Sequence, residues 1–409
     1  MLRTRRYGTF VGATLLSNLG TWAQQVAEPW LLLTLGASSL VLGLDSFAQN
    51  APVWALTLLG GMLADSADRR RVITICQSLQ MLCPMTLVML LVAGIVAPWM
   101  VILSSLVVGI TDALSLPSFQ SIVPTIVERE QIPSALALNA TQFNLSRILG
   151  PAFAGTLMAS FGIAACFAAN ALSYLPFILV ALFMLPRRTG SADMPSSDET
   201  SHLFTGIRQI ARQRYLSLGL VTVLTSSMFC AQLIVFAPVL IRDALHGTAG
   251  HFSAAVAGFG FGGLMGAALL MAIPGESDRR LASSGAAISY GIANILVALN
   301  PWIAAMPIAL VVAGITMSIS NTSVNALLQT HSPPELRGRT VSLYMLAMRG
   351  GLSLGSLITG TTVTLFGVRE ALFVNGGLAI VAQLAIARLW QRAPMPQSTA
   401  AKAAAQPRR

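Results

Sequence analysis

Long apolar runs, each bounded by charged residues or by Gly and Pro, recur along the whole chain. Twelve of them have helix-like length, over approximately 10–35, 42–64, 72–93, 99–120, 138–160, 163–185, 215–241, 252–273, 281–299, 302–325, 341–366 and 370–390. About 20 consecutive apolar residues suffice to cross a bilayer as a helix. The pattern therefore predicts an all-α membrane protein with twelve transmembrane helices. Pro117 and Pro124 are expected to break the end of the fourth run. Composition agrees: of 409 residues, 55% are hydrophobic and only 10% charged, and the mean hydropathy is +0.71. Soluble domains carry about 25% charged residues. An ordinary cytosolic enzyme, a secreted disulfide scaffold and a disordered chain are all excluded.

Charge placement predicts orientation. The net charge is +10, but nucleic acid is not the expected partner. Basic residues of membrane proteins concentrate in cytoplasmic segments. With the N-terminus inside, twenty-one of the 25 basic residues fall on the cytoplasmic side, among them Arg69, Arg70, Arg71, Arg279, Arg280, Arg337 and Arg339. Only Arg242 and Arg369 fall opposite, while Arg147 and Arg349 lie within predicted spans. Both termini are expected in the cytoplasm of a multi-pass inner-membrane protein. The first apolar run is too long and too Gln-rich for a cleaved signal. Cys76, Cys83, Cys166 and Cys230 lie inside apolar runs without metal-ligand spacing, so free thiols are expected.

A shift of 205 residues lays the second half over the first without gaps. Gly109-Ile110-Thr111 meets Gly314-Ile315-Thr316, Ser115 and Ser118 meet Ser320 and Ser323, and Glu130 meets Glu335. Leu149-Gly150 meets Leu354-Gly355, Gly155-Thr156 meets Gly360-Thr361, Phe161-Gly162 meets Phe366-Gly367, and Asn170 meets Asn375. Asp68-Arg69-Arg70 matches Asp278-Arg279-Arg280 at a shift of 210. Apolar bias aligns Leu and Ala by chance, but not Gly, Asn and Glu in one register. Two pseudo-symmetric six-helix bundles are expected, over 1–185 and 215–392. A cytoplasmic linker over 186–214 and a disordered tail over 393–409 complete the predicted organisation. Such duplication suits halves that rock about a central site.

Two motifs carry a resemblance. Gly60-Gly61-Met62-Leu63-Ala64-Asp65-Ser66-Ala67-Asp68-Arg69-Arg70-Arg71 resembles the loop signature of the major facilitator superfamily, with Asp68 in place of the usual Gly and Ser66 in place of a common Arg. Gly150-Pro151-Ala152-Phe153-Ala154-Gly155 is similar to the antiporter signature of the same superfamily, with Ala154 where Gly is frequent. Asn18 to Gln25, Asn144 to Pro151 and Glu335 to Ser342 look like the siderophore-exporter and macrolide-efflux branch. The resemblance implies a two-bundle transporter with a cytoplasmic gate at Gly61, Asp65, Asp68, Arg69 and Arg70. Asp65 would face the positive N-terminus of helix 11. The resemblance also implies export associated with Gly150, Pro151 and Gly155. The Arg usual in the family's helix 4 is absent, with Ile110 near that place.

Ionisable residues inside spans are costly and are functional candidates by default. Thr21, Gln24, Gln25 and Glu28 share one helical face. Counting from a turn near Ser38-Ser39 puts Glu28 level with Gln49, and Asp45 nearer the outside. A carboxyl group in an apolar cavity can take up and release a proton near neutral pH. Glu28 is the first candidate for proton coupling; a static residue satisfied by Gln49 or Gln25 is the alternative. Asp112 and Arg147 lie at similar depth, roughly 20 Å at 1.5 Å per residue, and are expected to form an ion pair that is either a second coupling element or purely structural. Arg349 is expected to snorkel towards the headgroups. Asn18, Trp22, Gln24, Gln25, Asp45 and Gln49 are the candidate substrate-binding residues.

The sequence lacks a Walker A run, an HExxH run and a nucleophile elbow, so neither an enzyme nor any cofactor or metal is expected. The leading expectation is a monomeric secondary exporter of a lipophilic or amphipathic small molecule, exchanging it for protons across the lipid bilayer. An uncoupled facilitator or lipid translocator of the same fold, and a non-transporting sensor or scaffold, remain open.

Overall fold

The computed structural model describes residues 5–122, 125–185, 213–272, 279–332 and 336–392. The predicted linker, apart from its last two residues, and the predicted tail lie outside them. Twelve long helical segments follow one another: α1 Arg5–Thr34, α2 Ser39–Ser66, α3 Arg69–Val92, α4 Pro98–Ile122, α5 Ile132–Phe161, α6 Ile163–Met184, α7 Arg214–Ala244, α8 Ala249–Ala272, α9 Arg279–Leu299, α10 Met306–His331, α11 Arg337–Phe366 and α12 Val368–Gln391. Nine of the described segments are long and apolar enough to cross a membrane by length and composition. The three that fall short, α1, α2 and α5, include the carriers of Gln24, Gln25, Glu28, Gln142 and Arg147. Their low hydropathy reflects polar residues, of which Gln24, Glu28, Asp45, Asn50 and Gln142 are buried, as helices in lipid require of such groups.

Helix α4 corrects one expectation, because it runs through Pro117 without ending there. Proline removes one backbone hydrogen bond, and a neighbouring helix can hold the rod together. Pro124 lies outside the described residues. Helix α7 contains two five-residue π segments, Ser226–Cys230 and Leu240–Ala244.

The predicted duplication is visible in the packing. In the first half α1 packs on α5 and α6, α2 on α4, and α3 on α4 and α6. In the second half α7 packs on α11 and α12, α8 on α10, and α9 on α10 and α12. Matched glycines do matched work. Gly162 and Gly367, paired by the shift of 205, both link two helices at positive φ, 80° and 99°. That region admits Gly at little cost. Gly109 lies against the Gln49 carbonyl and Gly314 against the Phe259 carbonyl, so α2–α4 and α8–α10 approach equally closely.

The halves meet along two seams, α2–α11 and α5–α8. Gly43 lies on Ser356 and Gly360 in the first, and Gly155 on Ser253 in the second. Under the two repeat shifts these contacts are counterparts. Three buried apolar clusters reveal how the seams close. One, around Trp30, Leu33, Leu42, Phe236, Leu240, Phe252 and Val363, draws on both halves near the α1–α2 and α7–α8 loops. At the arginine-rich end the clusters are separate. Tyr7, Phe10, Ile73, Ile122 and Phe177 belong to the first half alone, and Tyr215, Leu327, Tyr344 and Trp390 to the second alone. The bundles are joined at one end and divided at the other.

Candidate functional site

Helix α1 ends at Thr34, and the turn occupies 35–38. Counting from this turn, rather than from Ser38-Ser39, sets Glu28 level with Asp45 instead of Gln49. The two are in fact joined through α4. Ser105 Oγ lies at 2.7 Å from Asp45 Oδ1 and also hydrogen-bonds Glu28 Oε1. Both carboxyl groups are buried, Glu28 at 6% exposure and Asp45 at 8%. Among the described residues neither has an ion-pair partner. A serine hydroxyl carries one hydrogen, so it donates to one carboxyl at a time. The second oxygen contact is a hydrogen bond only when that carboxyl itself carries a proton.

Glu28 is held from the other side by Gln24, whose Nε2 donates to Oε2 at 3.0 Å. This corrects the expected partners Gln25 and Gln49. Gln24 Oε1 in turn accepts from Asn170 Nδ2 at 2.6 Å, which binds α6 to α1. Thr21 Oγ1 lies 3.4 Å from the Tyr174 hydroxyl. The predicted face of α1, Thr21, Gln24, Gln25 and Glu28, lines one small polar cavity together with Gln49 and Gln80. Its volume of about 20 Å³ has room for about one water molecule. It is thus a proton-sized or water-sized space inside the first half and not a ligand pocket. Of the six candidate substrate-binding residues, Gln24, Gln25 and Gln49 line it, and Asp45 joins it through Ser105. Trp22 points elsewhere, and Asn18, half-buried, joins neither group.

The expected Asp112–Arg147 ion pair does not form. Asp112 Oδ1 accepts from Gln80 Nε2 at 2.8 Å, and the cation within its electrostatic reach is Arg349 from the other half. Arg147 instead sits over two rings, 5.9 Å from the Trp22 centroid and 5.3 Å from that of Phe259. The two stand equally far from the ends of their helices, Pro98 and Phe161, but Asp112 turns to α3 while Arg147 turns to α1 and α8. Nor does Arg349 snorkel. Its Nη1 donates to Asn50 Oδ1 at 2.7 Å, across the α2–α11 seam.

The loop motif has a local role that its pattern did not reveal. Asp68 is the N-cap of α3, its carboxylate accepting from Arg70 N at 3.0 Å. A helix start needs such an acceptor, which accounts for Asp where the resemblance has Gly. Arg70 also donates to the Leu182 carbonyl, tying the loop to α6. Gly61 faces open space, Arg69 is not without a partner, and the Asp65 side chain lies outside the described part of the structure. In the second motif Gly150 fits against Trp22 of α1, and Gly155 against Ser253 of α8, with Pro151 buried between them. The motif packs α5 onto its own half and onto the other one.

Ser105, Asn170, Gln80 and Asn50 were not singled out as site residues from the sequence. Ser105 had a signal, since it precedes Asp112 by seven residues and so shares its helix face. Asn170 had another in its match to Asn375.

Known proteins give this arrangement its context. The chain is 25% identical over 378 residues to the staphyloferrin A transporter of Staphylococcus aureus, covering 90% of this chain and 92% of the relative. It is 24% identical over 357 residues to the multidrug efflux pump Tap of Mycolicibacterium fortuitum, covering 85% and 87%. Its fold is similar to that of the nucleoside transporter NupG, with a TM-score of 0.80 at 12% identity, over 94% of this chain and 100% of that one. The family described as transmembrane secretion effectors matches residues 2–408. With two repeated bundles that meet at paired seams, and that match over nearly its whole length, the chain belongs to the transmembrane secretion effector family of major facilitator transporters.

Proposed function

We propose that the chain is a secondary exporter of small amphipathic molecules, driven by protons moving inwards. The arrangement that carries this reading is the carboxyl pair Glu28 and Asp45 around the single Ser105 hydroxyl. Two buried carboxyl groups with one donor between them and no cation are stable when they share a proton. A change of partners as the halves move then loads or releases that proton. Asp112, bonded to Gln80 and in the field of Arg349, senses the position of the other half.

The arginine-rich end is the cytoplasmic one in this reading, following the rule for basic loops. The shared apolar cluster closes the opposite end, so the pathway is open towards the cytoplasm, the state that takes up cargo for export. Alternating access follows if the α2–α11 and α5–α8 seams part and the two separate clusters come together. Relatives named for staphyloferrin A and for multiple drugs support an exported small-molecule cargo.

Proteoliposomes with an imposed pH gradient, screened against siderophores, macrolides and lipids, test the reading. Glu28→Gln is expected to abolish proton-coupled flux while the protein remains in the membrane. Full transport by that variant refutes the role of Glu28, and wild-type transport indifferent to collapse of the gradient makes the chain an uncoupled carrier.

A further inference from the structure

Arg147 and Arg349 are two intramembrane arginines with unequal fates. Each lies where a seam between the halves runs deep, Arg147 on α5 facing α8 and Arg349 on α11 facing α2. The seams are counterparts: Gly155 on Ser253 repeats as Gly360 on Gly43. Arg349 stands about one helical turn from the position matching Arg147. It is satisfied by Asn50 at 2.7 Å. At the shift of 210, Asn50 falls on Gly260. Gly260 has no amide to offer, and it cannot be enlarged where it is. A Cβ there would press 2.8 Å from the Arg147 carbonyl oxygen. Close packing of α5 on α8 has thus removed the partner that the other seam retains.

Among the described residues Arg147 makes no hydrogen bond and no ion pair. Its side chain is half-buried, so a ligand can reach it. An unpaired guanidinium in the membrane interior is costly, and a purely structural site would be expected to pair it. Around it stand Trp22 from the first half and Phe259 from the second. Tyr290 on α9 is within its electrostatic reach. That phenol is 1% exposed, and its oxygen has no hydrogen-bond partner. One forked cation and two aromatic faces therefore lie together, drawn from both bundles.

We infer that Arg147 is the anchor of a substrate subsite for an organic carboxylate with a flat apolar body, with Trp22 and Phe259 as stacking faces. The planar guanidinium fork matches a carboxylate in two parallel hydrogen bonds. Aromatic rings hold a flat ligand and the guanidinium in one stack. Because the groups come from both halves, a bound anion also links the bundles, which is what coupling of cargo to their movement requires. The inference gives a cargo class to the proposed exporter and rests on that reading for its biological use, though not for its binding chemistry.

Calorimetric titration of the purified full-length protein in lipid nanodiscs tests it, with empty nanodiscs as the blank. The probes are naphthalene-2-carboxylate and its neutral isostere 2-naphthamide. The wild type is expected to bind the acid at least about tenfold more tightly than the amide. Arg147→Gln is expected to bring that ratio to about one and to leave amide affinity within about twofold. Arg147→Lys should keep part of the ratio. A wild-type ratio near one, no binding of the acid, or a ratio unchanged by Arg147→Gln overturns the inference. The wild-type comparison stands even if a variant misfolds. Acid preference without proton-driven flux would remove the exporter reading and leave the subsite. Proton-driven flux without acid preference would remove the subsite alone.

Discussion

Asn50→Ala removes the side-chain acceptor that α2 offers to Arg349 across the α2–α11 seam. A hydrogen bond to a charged group contributes about 1.5–3 kcal/mol. It exists only while the seam is closed, so its whole value favours that state over one in which the seam has parted. At about 1.4 kcal/mol per tenfold, the ratio of the two states should change about ten- to hundredfold. The lower figure is the better expectation, because the freed guanidinium keeps its electrostatic attraction to Asp112. The change can be read as a distance. Ser38 and Thr248 are exposed, lie at the joined end, and belong to different halves. With spin labels on cysteines at these two positions, and the four native cysteines replaced by alanine, double electron–electron resonance should show one short distance in the parent. A second, longer distance should appear with Asn50→Ala. Asn50→Asp replaces the amide by an anion and should suppress the longer distance and slow turnover, since release of the seam becomes harder. Distance distributions and turnover unchanged by both substitutions would refute the latch.

Gly43→Val places a branched side chain against the Ser356 carbonyl and Gly360. Overpacking of this kind costs about 1–3 kcal/mol, and here the cost falls on the closed seam, so transport in proteoliposomes should fall by about tenfold; wild-type rates would show that the seam need not close. Asn170→Leu leaves Gln24 Oε1 without its donor inside the first half. The orphaned acceptor should cost about 1–3 kcal/mol and lower the thermal unfolding midpoint in detergent by a few degrees, and an unmoved midpoint would show that the Gln24–Asn170 bond contributes nothing.

Much of this architecture was legible in the order of residues. Run length and charge placement predicted the helices, because a backbone in lipid must satisfy its own hydrogen bonds and a helix does so locally. The duplication was legible because Gly162 and Gly367, or Gly109 and Gly314, are required by backbone conformation and close approach, which no larger residue meets. That Glu28, Asp112, Arg147 and Arg349 deserved notice was legible too, since charge in a span is rare and costly.

Which of these charges meet was decided only by the fold. Depth is almost linear in residue number, so counting along a helix gives it, provided the turn is placed correctly. A four-residue turn at 35–38 moved the partner of Glu28 from Gln49 to Asp45. The direction in which a side chain points depends on rotation about the helix axis and on which helices stand alongside. Asp112 and Arg147 stand equally far along their helices and face apart. Arg349, read as a headgroup anchor, finds Asn50, 299 positions away along the chain. Chain order determined how deep each polar group lies, and the lateral arrangement of twelve helices decided its neighbours, because hydrogen bonds act over about 3 Å while a turn of helix carries a side chain around a cylinder about 10 Å wide.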